Sequence, residues 1–227
     1  MKSRFYQRVI RSAALLYFVT ISLLPLFLAN SVLATDTANL IPKKGGNLAA
    51  INLQIPKDPT EKGYLGLSGS GYFRIPQIKA KGVLIKIFNL YCPVCQSTAA
   101  AMAEIYRQIE NNPDLRGKLK LIGIGAGNSL LEIEVFKHNN DVPFPIFPDE
   151  NFKIHQALGE VRIPFFIAVR IEGGRPPEIV QTHLGGLTDA RALSDLMIEA
   201  YGMKHEDFLI NEAAASPKEP GPDVEPK

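Results

Sequence analysis

The sequence predicts an α/β fold in which a mixed central sheet carries helices on both faces. Short apolar runs rich in β-branched residues alternate along the chain with segments of helical periodicity. Late in this alternation, two apolar runs follow each other across Glu172-Gly173-Gly174-Arg175, which predicts a β-hairpin. The resulting order, β-α-β-α-(α)-β-β-α, is that of a three-layer sandwich.

Each predicted strand is a short apolar run, and the predicted helices have start or stop signals. Asn112-Pro113 ends the first helix. Ser129, with Glu132 three residues later, forms a capping box before the second helix, and Thr188 caps the last. The predicted strands are residues 83–88, 119–125, 164–171 and 178–183. The predicted helices are residues 93–111, 129–139, a short one from 149 or 151 to 158, and 188–201.

The outer segments differ from this central part in composition. Residues 35–63 are rich in Pro, Lys, Asn and Gly and predict an extended N-terminal segment with one edge strand. Residues 212–227 hold four prolines and several charges but few large apolar side chains, which is typical of a disordered tail. The predicted α/β domain therefore spans residues 64–203.

The first 34 residues have the pattern of an export signal. Basic residues between Lys2 and Arg11 precede an apolar run over residues 13–29, and Val32-Leu33-Ala34 suits cleavage after Ala34. An uncleaved signal anchor is the alternative, because the run is about long enough to cross a bilayer. Either form would place the rest of the chain in the periplasm or on the outer face of a bacterial cytoplasmic membrane.

Charge and composition narrow the possible functions. Four of the 25 Lys and Arg residues lie in the export signal. The remainder of the chain therefore has fewer basic residues than its 23 Asp and Glu residues, and its net charge is slightly negative. Such a chain offers no electrostatic argument for a nucleic-acid partner. Its 46% hydrophobic content is enough for one well-buried domain.

The two cysteines, Cys92 and Cys95, stand where the first predicted strand passes into the first predicted helix. A bridge between them would close a very short loop and would stabilise the fold only modestly, so a structural disulfide explains the pair poorly. A helix N-terminus favours the thiolate at Cys92, and the thiolate is the attacking species in disulfide exchange. Cys95 lies one turn further in and is expected to resolve the mixed disulfide. Pro93 suits the first turn of a helix.

A zinc site is the competing use of a C-x-x-C pair. Such a site normally needs a second Cys or His pair at short spacing. The chain has no third cysteine, and its four histidines are scattered singly. The sequence therefore predicts no metal and no cofactor other than the redox-active cysteine pair itself.

Four segments of the predicted domain match a known pattern. They are Ile85-Lys86-Ile87-Phe88-Asn89-Leu90-Tyr91-Cys92-Pro93-Val94-Cys95, Val142-Pro143-Phe144-Pro145-Ile146-Phe147-Pro148-Asp149, Arg162-Ile163-Pro164-Phe165-Phe166-Ile167 and Leu184-Gly185-Gly186. With them, the region from about residue 64 to residue 203 resembles the thioredoxin-like family, in particular its TlpA/ResA/CcmG branch of exported reductases.

The resemblance implies roles for residues outside the cysteine pair. Pro164 would follow a cis peptide bond and pack across the cysteines, which leaves the backbone of Ile163 free to pair with an extended substrate. An ordinary proline at a strand start is the alternative. Tyr91 stands where the family usually has Trp and is expected to shield one side of the site, and Tyr91 and Pro93 are expected to contact substrate.

Lys86 departs from the family pattern. Six residues before the first cysteine, many thioredoxins carry a buried acid that shuttles a proton to the second cysteine, whereas this chain has Lys86. A buried lysine favours a thiolate and itself prefers to be neutral. We expect Lys86 either to lower the cysteine pKa or to take over the proton transfer, unless it points outward or snorkels at the sheet edge.

The sequence thus predicts an extracytoplasmic thiol–disulfide oxidoreductase, and the resemblance favours a reductase of exported proteins. It also implies a membrane thiol electron donor and a role in cytochrome c maturation, with the C-x-x-C-H cysteines of apocytochrome c as substrate. A thiol peroxidase on the same fold is one alternative, although Ile85 and Asn89 do not match its Pro-x-x-x-Thr-x-x-Cys pattern. A non-enzymatic copper-binding or chaperone module is the other.

Overall fold

The computed structural model describes residues 41–204 and residue 206. The predicted export signal and the predicted tail lie outside these residues. The strands are β1 (Leu53–Gln54), β2 (Tyr72–Phe73), β3 (Gly82–Phe88), β4 (Leu119–Ala126), β5 (Ile146–Asp149), β6 (Phe165–Arg170) and β7 (Glu178–Leu184). The helices are α1 (Pro59–Leu65), α2 (Pro93–Ser97), α3 (Ala99–Asn111), α4 (Leu130–Asn139), α5 (Lys153–Ala157) and α6 (Ala190–Tyr201), with one 3-10 turn at Ile75–Gln77.

Five strands form a mixed sheet in the order β5-β4-β3-β6-β7. β4 runs parallel to both β3 and β5, whereas β6 is antiparallel to β3 and β7 is antiparallel to β6. The mixed sheet confirms the predicted α/β class. β1 and β2 pair separately as a two-stranded sheet.

The two faces of the central sheet pack against different parts of the chain. All seven residues of β3 are buried, so side chains on both faces are covered. Leu84 and Phe88 belong to one core together with apolar residues of α3, α4 and α6. Val83, Ile85 and Ile87 belong to the other core, which residues 48–78 and the segment around α5 complete. The N-terminal extension is therefore the third layer of the sandwich.

Three elements of the fold differ from the prediction. The helix expected over residues 93–111 is interrupted at Thr98, which ends α2 and begins α3. The strand β5 was not predicted, because Pro145 and Pro148 break its apolar run, yet it pairs with β4 as an edge strand of the central sheet. The helix α1 was also not predicted, although Asp58 caps it and Gly66 ends it in the left-handed conformation, at a φ of 66°.

The caps of the last two helices also differ from expectation. Asp189, and not Thr188, caps α6 by accepting a hydrogen bond from the N–H of Ala192 at 2.7 Å. α5 begins at Lys153, later than predicted, and the carboxylate of Asp149 accepts hydrogen bonds from two N–H groups of its first turn. The predicted capping box of Ser129 and Glu132 at α4 is confirmed.

Within residues 41–204 and 206, no helix combines the length and the hydropathy that crossing a membrane requires.

Candidate active site

The cysteine pair lies just beyond the carboxyl end of β3. A short loop leads from Phe88 to Cys92, and the N–H of Cys92 donates to the carbonyl of Asn89 at 3.1 Å. Cys92 occupies the N-cap of α2, and its carbonyl accepts hydrogen bonds from the N–H groups of Cys95 and Gln96 at 2.9 and 3.0 Å. Pro93 follows at the first helical position, where its missing N–H leaves no donor unpaired.

The two sulfurs differ in their exposure. Cys92 is partly exposed, whereas Cys95 is fully buried in the core beneath α2. Both thiols are free. Burial raises the pKa of the Cys95 thiol, a hydrogen bond and the charge of Cys92 act in the same direction, and the charge of Lys86 opposes them. The pair therefore combines an accessible sulfur with a protected one that holds its proton more tightly.

Lys86 lies beneath this pair and does not point outward. Its side chain shares the β3 face with Leu84 and Phe88, and only 2% of its surface is exposed. The ammonium Nζ donates to the carbonyl of Cys95 at 2.9 Å and sits 4.5 Å from the centre of the Phe88 ring. Burial lowers the pKa of Lys86 to about 8, and the neighbouring cysteines raise it in part.

Thr98 is a site residue that the sequence did not indicate. Its side chain is fully buried, and its Oγ1 donates to the carbonyl of Cys95 at 2.8 Å. The carbonyl of Cys95 thus accepts hydrogen bonds from two buried side chains, Thr98 and Lys86. This contact occurs where α2 gives way to α3, so it depends on the helix interruption that sequence periodicity did not reveal.

Tyr91 lies on the surface next to the site, and 70% of it is exposed. Its hydroxyl donates a hydrogen bond to the carboxylate of Glu132 on α4. The carboxylate also accepts from the N–H and the hydroxyl of Ser129, and these hydrogen bonds, with that of Tyr91, lower the pKa of Glu132 to about 2. The Glu132 hydrogen bond in turn raises the pKa of Tyr91. The capping box of α4 therefore also anchors the aromatic residue beside Cys92.

Pro164 lies at the same edge of the sheet as the cysteine loop. The Ile163–Pro164 peptide bond is cis. Phe165, the first residue of β6, pairs with Ile87, which places Pro164 beside the end of β3. The carbonyl of Pro164 accepts a hydrogen bond from the N–H of Gly185 at 2.9 Å.

The turn after β7 connects this proline with the cysteine helix. Gly186 packs so closely against α2 that a Cβ atom at this position would lie 2.9 Å from Cγ1 of Val94. Because Gly185 binds the carbonyl of Pro164, one short turn touches both the proline segment and the residue between the two cysteines. The structure thus brings Pro164, Val94 and the cysteine pair together at one end of the sheet.

The site offers two thiols and no preformed metal-binding cluster. Across residues 41–204 and 206, no group of three or more His, Cys, Asp or Glu side chains is placed to hold a metal ion. Cys92 is open to a partner, and Cys95 is held within reach of Cys92 by one turn of helix. Chemically, this arrangement suits the formation and reopening of a disulfide between the two cysteines.

Comparison with known proteins finds a relative in sequence. The chain is 26% identical over 113 residues to the thiol-disulfide oxidoreductase ResA of Halalkalibacterium halodurans. The match covers 50% of this chain and 59% of the relative's length. No protein-family model matches the chain.

Two solved structures have a similar fold. One is a proposed thiol:disulfide interchange protein DsbE from Chlorobium tepidum, with a TM-score of 0.53, 12% identity, and coverage of 70% of this chain and 97% of that one. The other is the thioredoxin domain of a thiol-disulfide oxidoreductase from Bacteroides vulgatus, with a TM-score of 0.50, 15% identity, and coverage of 68% and 97%. At such identities the similarity shows the fold alone.

The mixed sheet and these neighbours show that the chain has a thioredoxin-like fold. The partial sequence similarity to ResA, a thiol-disulfide oxidoreductase, agrees with that fold.

Proposed function

We propose that the chain is an extracytoplasmic thiol–disulfide oxidoreductase that acts by dithiol–disulfide exchange through Cys92 and Cys95. The observation that carries the proposal is the unequal pair of sulfurs, one partly exposed at the start of α2 and one buried a turn deeper. This difference supports the proposed order of the two steps, because an accessible thiolate can attack a protein disulfide, whereas a buried thiol reacts only after the mixed disulfide has formed.

In the reducing direction, the Cys92 thiolate attacks one sulfur of the substrate disulfide. The substrate S–S bond breaks, a mixed disulfide forms with Cys92, and the released substrate thiolate takes up a proton. Cys95 then loses its proton and attacks the sulfur of Cys92, which closes the Cys92–Cys95 disulfide and releases the second substrate thiol. The substrate gains two electrons and the protein loses two, so a separate dithiol donor must reopen the protein disulfide.

The residues around the pair hold the substrate in this proposal. Pro164 packs across the cysteines, and the backbone of Ile163 pairs with an extended segment of the substrate. Tyr91 and Pro93 contact the substrate on the exposed side of Cys92. Supporting this arrangement, Pro164 and α2 are linked through the turn at Gly185 and Gly186.

We further propose that Lys86 favours the thiolate of Cys95 in the resolving step. Its Nζ is bound to the carbonyl of Cys95 and is buried beneath the pair, so its positive charge acts on the sulfurs with little screening by water. A group whose pKa is lowered to about 8 also exchanges protons readily near neutral pH. In its neutral form, Lys86 can therefore accept the proton of the Cys95 thiol.

The location, direction and partners are proposed on other grounds. The basic and apolar N-terminal segment supports export, and the ResA-type similarity supports reduction of disulfides in exported proteins, with a membrane thiol donor to supply the electrons. Apocytochrome c is the proposed substrate with the most suitable chemistry, because its C-x-x-C-H cysteines form a disulfide that must be opened before haem attachment.

The proposal is tested by trapping the first intermediate with Cys95→Ser in cells that make the protein. Without the resolving thiol, the mixed disulfide on Cys92 should persist and appear on non-reducing gels as adducts with exported proteins, which mass spectrometry identifies. The double variant Cys92→Ser, Cys95→Ser is the matched control and should form none. A folded Cys95→Ser protein that forms no thiol-sensitive adduct would contradict the proposal.

A further inference from the structure

An apolar groove lies beside the cysteine loop and is lined by Tyr91, the residue before Cys92. Its volume is about 430 Å³. The residues that form it come from the cysteine loop, α2 and α4, and the apolar ones are Leu90, Tyr91, Leu131, Val135 and Phe136.

The α4 side of this groove is unusual for a surface helix. α4 buries Ile133 and Phe136 against the sheet, which is the apolar face that such a helix needs. It also exposes Leu131 and Val135, which are 71% and 51% exposed and stand four residues apart on the helix surface. These two adjacent large apolar side chains do not pack into either core of the described residues. A contiguous apolar surface of this kind typically marks a site of interaction.

The groove is built around the residue that precedes the attacking cysteine. Tyr91 forms one wall, and its hydroxyl is tied to Glu132, whose other oxygen is held by Ser129. The loop beneath is fixed as well, because Nε2 of Gln96 donates to the carbonyl of Leu90 at 2.6 Å. The Tyr91 side chain and the loop at Leu90 are therefore held in place before any partner binds, which limits the conformational entropy lost on binding.

We propose that this groove holds an apolar side chain of the disulfide substrate, within a few residues of the cysteine that is joined to Cys92. The inference rests on the proposed function, because the mixed disulfide is what brings the substrate chain to the groove. An extended chain advances about 3.3 Å per residue, so two residues reach about 7 Å from the bonded cysteine. Tyr91 adjoins Cys92 in sequence and Gln96 follows it by one turn, so the groove begins within that reach.

The charges around the groove favour an apolar occupant over a charged one. Glu132 is the acidic residue in its lining, and its carboxylate already accepts hydrogen bonds from Tyr91 and Ser129. The remaining polar members are the uncharged amides of Gln96, Asn139 and Asn140. A leucine-like side chain placed between Tyr91 and Leu131 would remove apolar surface of both partners from water.

The experiment compares two peptides that each contain one internal disulfide and differ only in leucine or serine beside the cysteines. The reduced full chain is mixed with each peptide, and the second-order rate of peptide reduction is measured. The wild type should reduce the leucine peptide about tenfold faster, since partial burial of one leucine contributes on the order of 1.4 kcal/mol. Leu131→Lys and Val135→Lys should bring this ratio close to one.

The matched control is Leu130→Lys, which makes the same change one residue earlier on α4 but borders a different cavity, and it should keep the tenfold ratio. If the wild type reduces both peptides at equal rates, the docking proposal is overturned while the proposed function stands. If it reduces neither peptide, the proposed function itself fails. A preference for the leucine peptide that survives Leu131→Lys also overturns the docking proposal. So does a dimer, detected by sedimentation, that Leu131→Lys dissociates, because a second copy of the chain would then cover the groove.

Discussion

Replacing Cys92 with serine is expected to abolish catalysed reduction of insulin disulfides. A serine hydroxyl does not ionise near neutral pH, so the first attack on the substrate disulfide is lost. We expect the rate to fall at least about a thousandfold, to that of the reductant alone, as is typical when a catalytic nucleophile is removed. The measurement is insulin precipitation in the presence of dithiothreitol, with wild type and variant at equal concentration.

The matched comparison for Cys92→Ser is Cys95→Ser. Both changes exchange one sulfur for oxygen, at the N-cap of α2 or within it. Cys95→Ser keeps the attacking thiol, however, and should still complete one half-reaction before it stalls. A Cys92→Ser protein with more than about a tenth of the wild-type rate would assign the first attack to another residue and would remove the basis for the proposed mechanism.

Replacing Lys86 with methionine is expected to stabilise the protein by about 2 kcal/mol at pH 7. The loss of the hydrogen bond to the Cys95 carbonyl costs about 1 kcal/mol, and Thr98 still donates to that carbonyl. Against this, burial lowers the pKa of Lys86 from 10.5 to about 8, so keeping the charged side chain in the folded state costs about 3 kcal/mol at pH 7. The removal of that larger cost decides the sign.

The advantage of Lys86→Met should shrink as the pH rises. Between about pH 8 and 10.5, Lys86 is neutral in the folded wild type and still protonated when unfolded. Unfolding then takes up a proton, so raising the pH stabilises the wild type relative to the methionine variant, by about 2 kcal/mol between pH 7 and pH 10. Urea unfolding of the disulfide forms, in which neither thiol titrates, measures this difference.

Lys120 provides a contrasting control for Lys86. It is also a buried lysine in the central sheet, but its Nζ is paired with Glu110 at 2.9 Å. Lys120→Met should therefore destabilise the protein, because it removes the buried partner of the Glu110 carboxylate and leaves that carboxylate only the exposed Arg116 at 3.7 Å. If Lys86→Met destabilises the protein as Lys120→Met does, or if its effect does not depend on pH, then Lys86 is not a charged group held at a cost beneath the cysteines.

The parts of the fold that were predicted correctly are those with local signals. The buried strand β3 is a continuous apolar run, and Ser129 with Glu132 defines the start of α4 within four residues. The cysteine pair was placed correctly because a strand, a C-x-x-C motif and a helix follow one another directly. Each of these depends on residues that are neighbours along the chain.

The parts that were not predicted depend on partners distant in sequence. β5 is a strand because it pairs with β4, and the prolines within it and just before it, Pro148 and Pro145, lower the strand propensity of its sequence. The hydrogen bond from Tyr91 to Glu132 joins residues 41 positions apart. The burial of Lys86 follows from the layers that cover both faces of β3, one of which the N-terminal extension supplies. The interruption at Thr98 has no sequence signal that we recognise.

The most direct test is a redox titration of the full chain in glutathione buffers of graded potential, followed by alkylation of free thiols and mass spectrometry. If Cys92 and Cys95 work as one dithiol, both should become unreactive together in a single two-electron transition. Its midpoint should lie between about −270 and −120 mV, the range of thioredoxin-fold oxidoreductases. Cysteines that stay alkylatable at every potential, or that form separate glutathione adducts without a Cys92–Cys95 disulfide, would contradict the proposed dithiol–disulfide exchange.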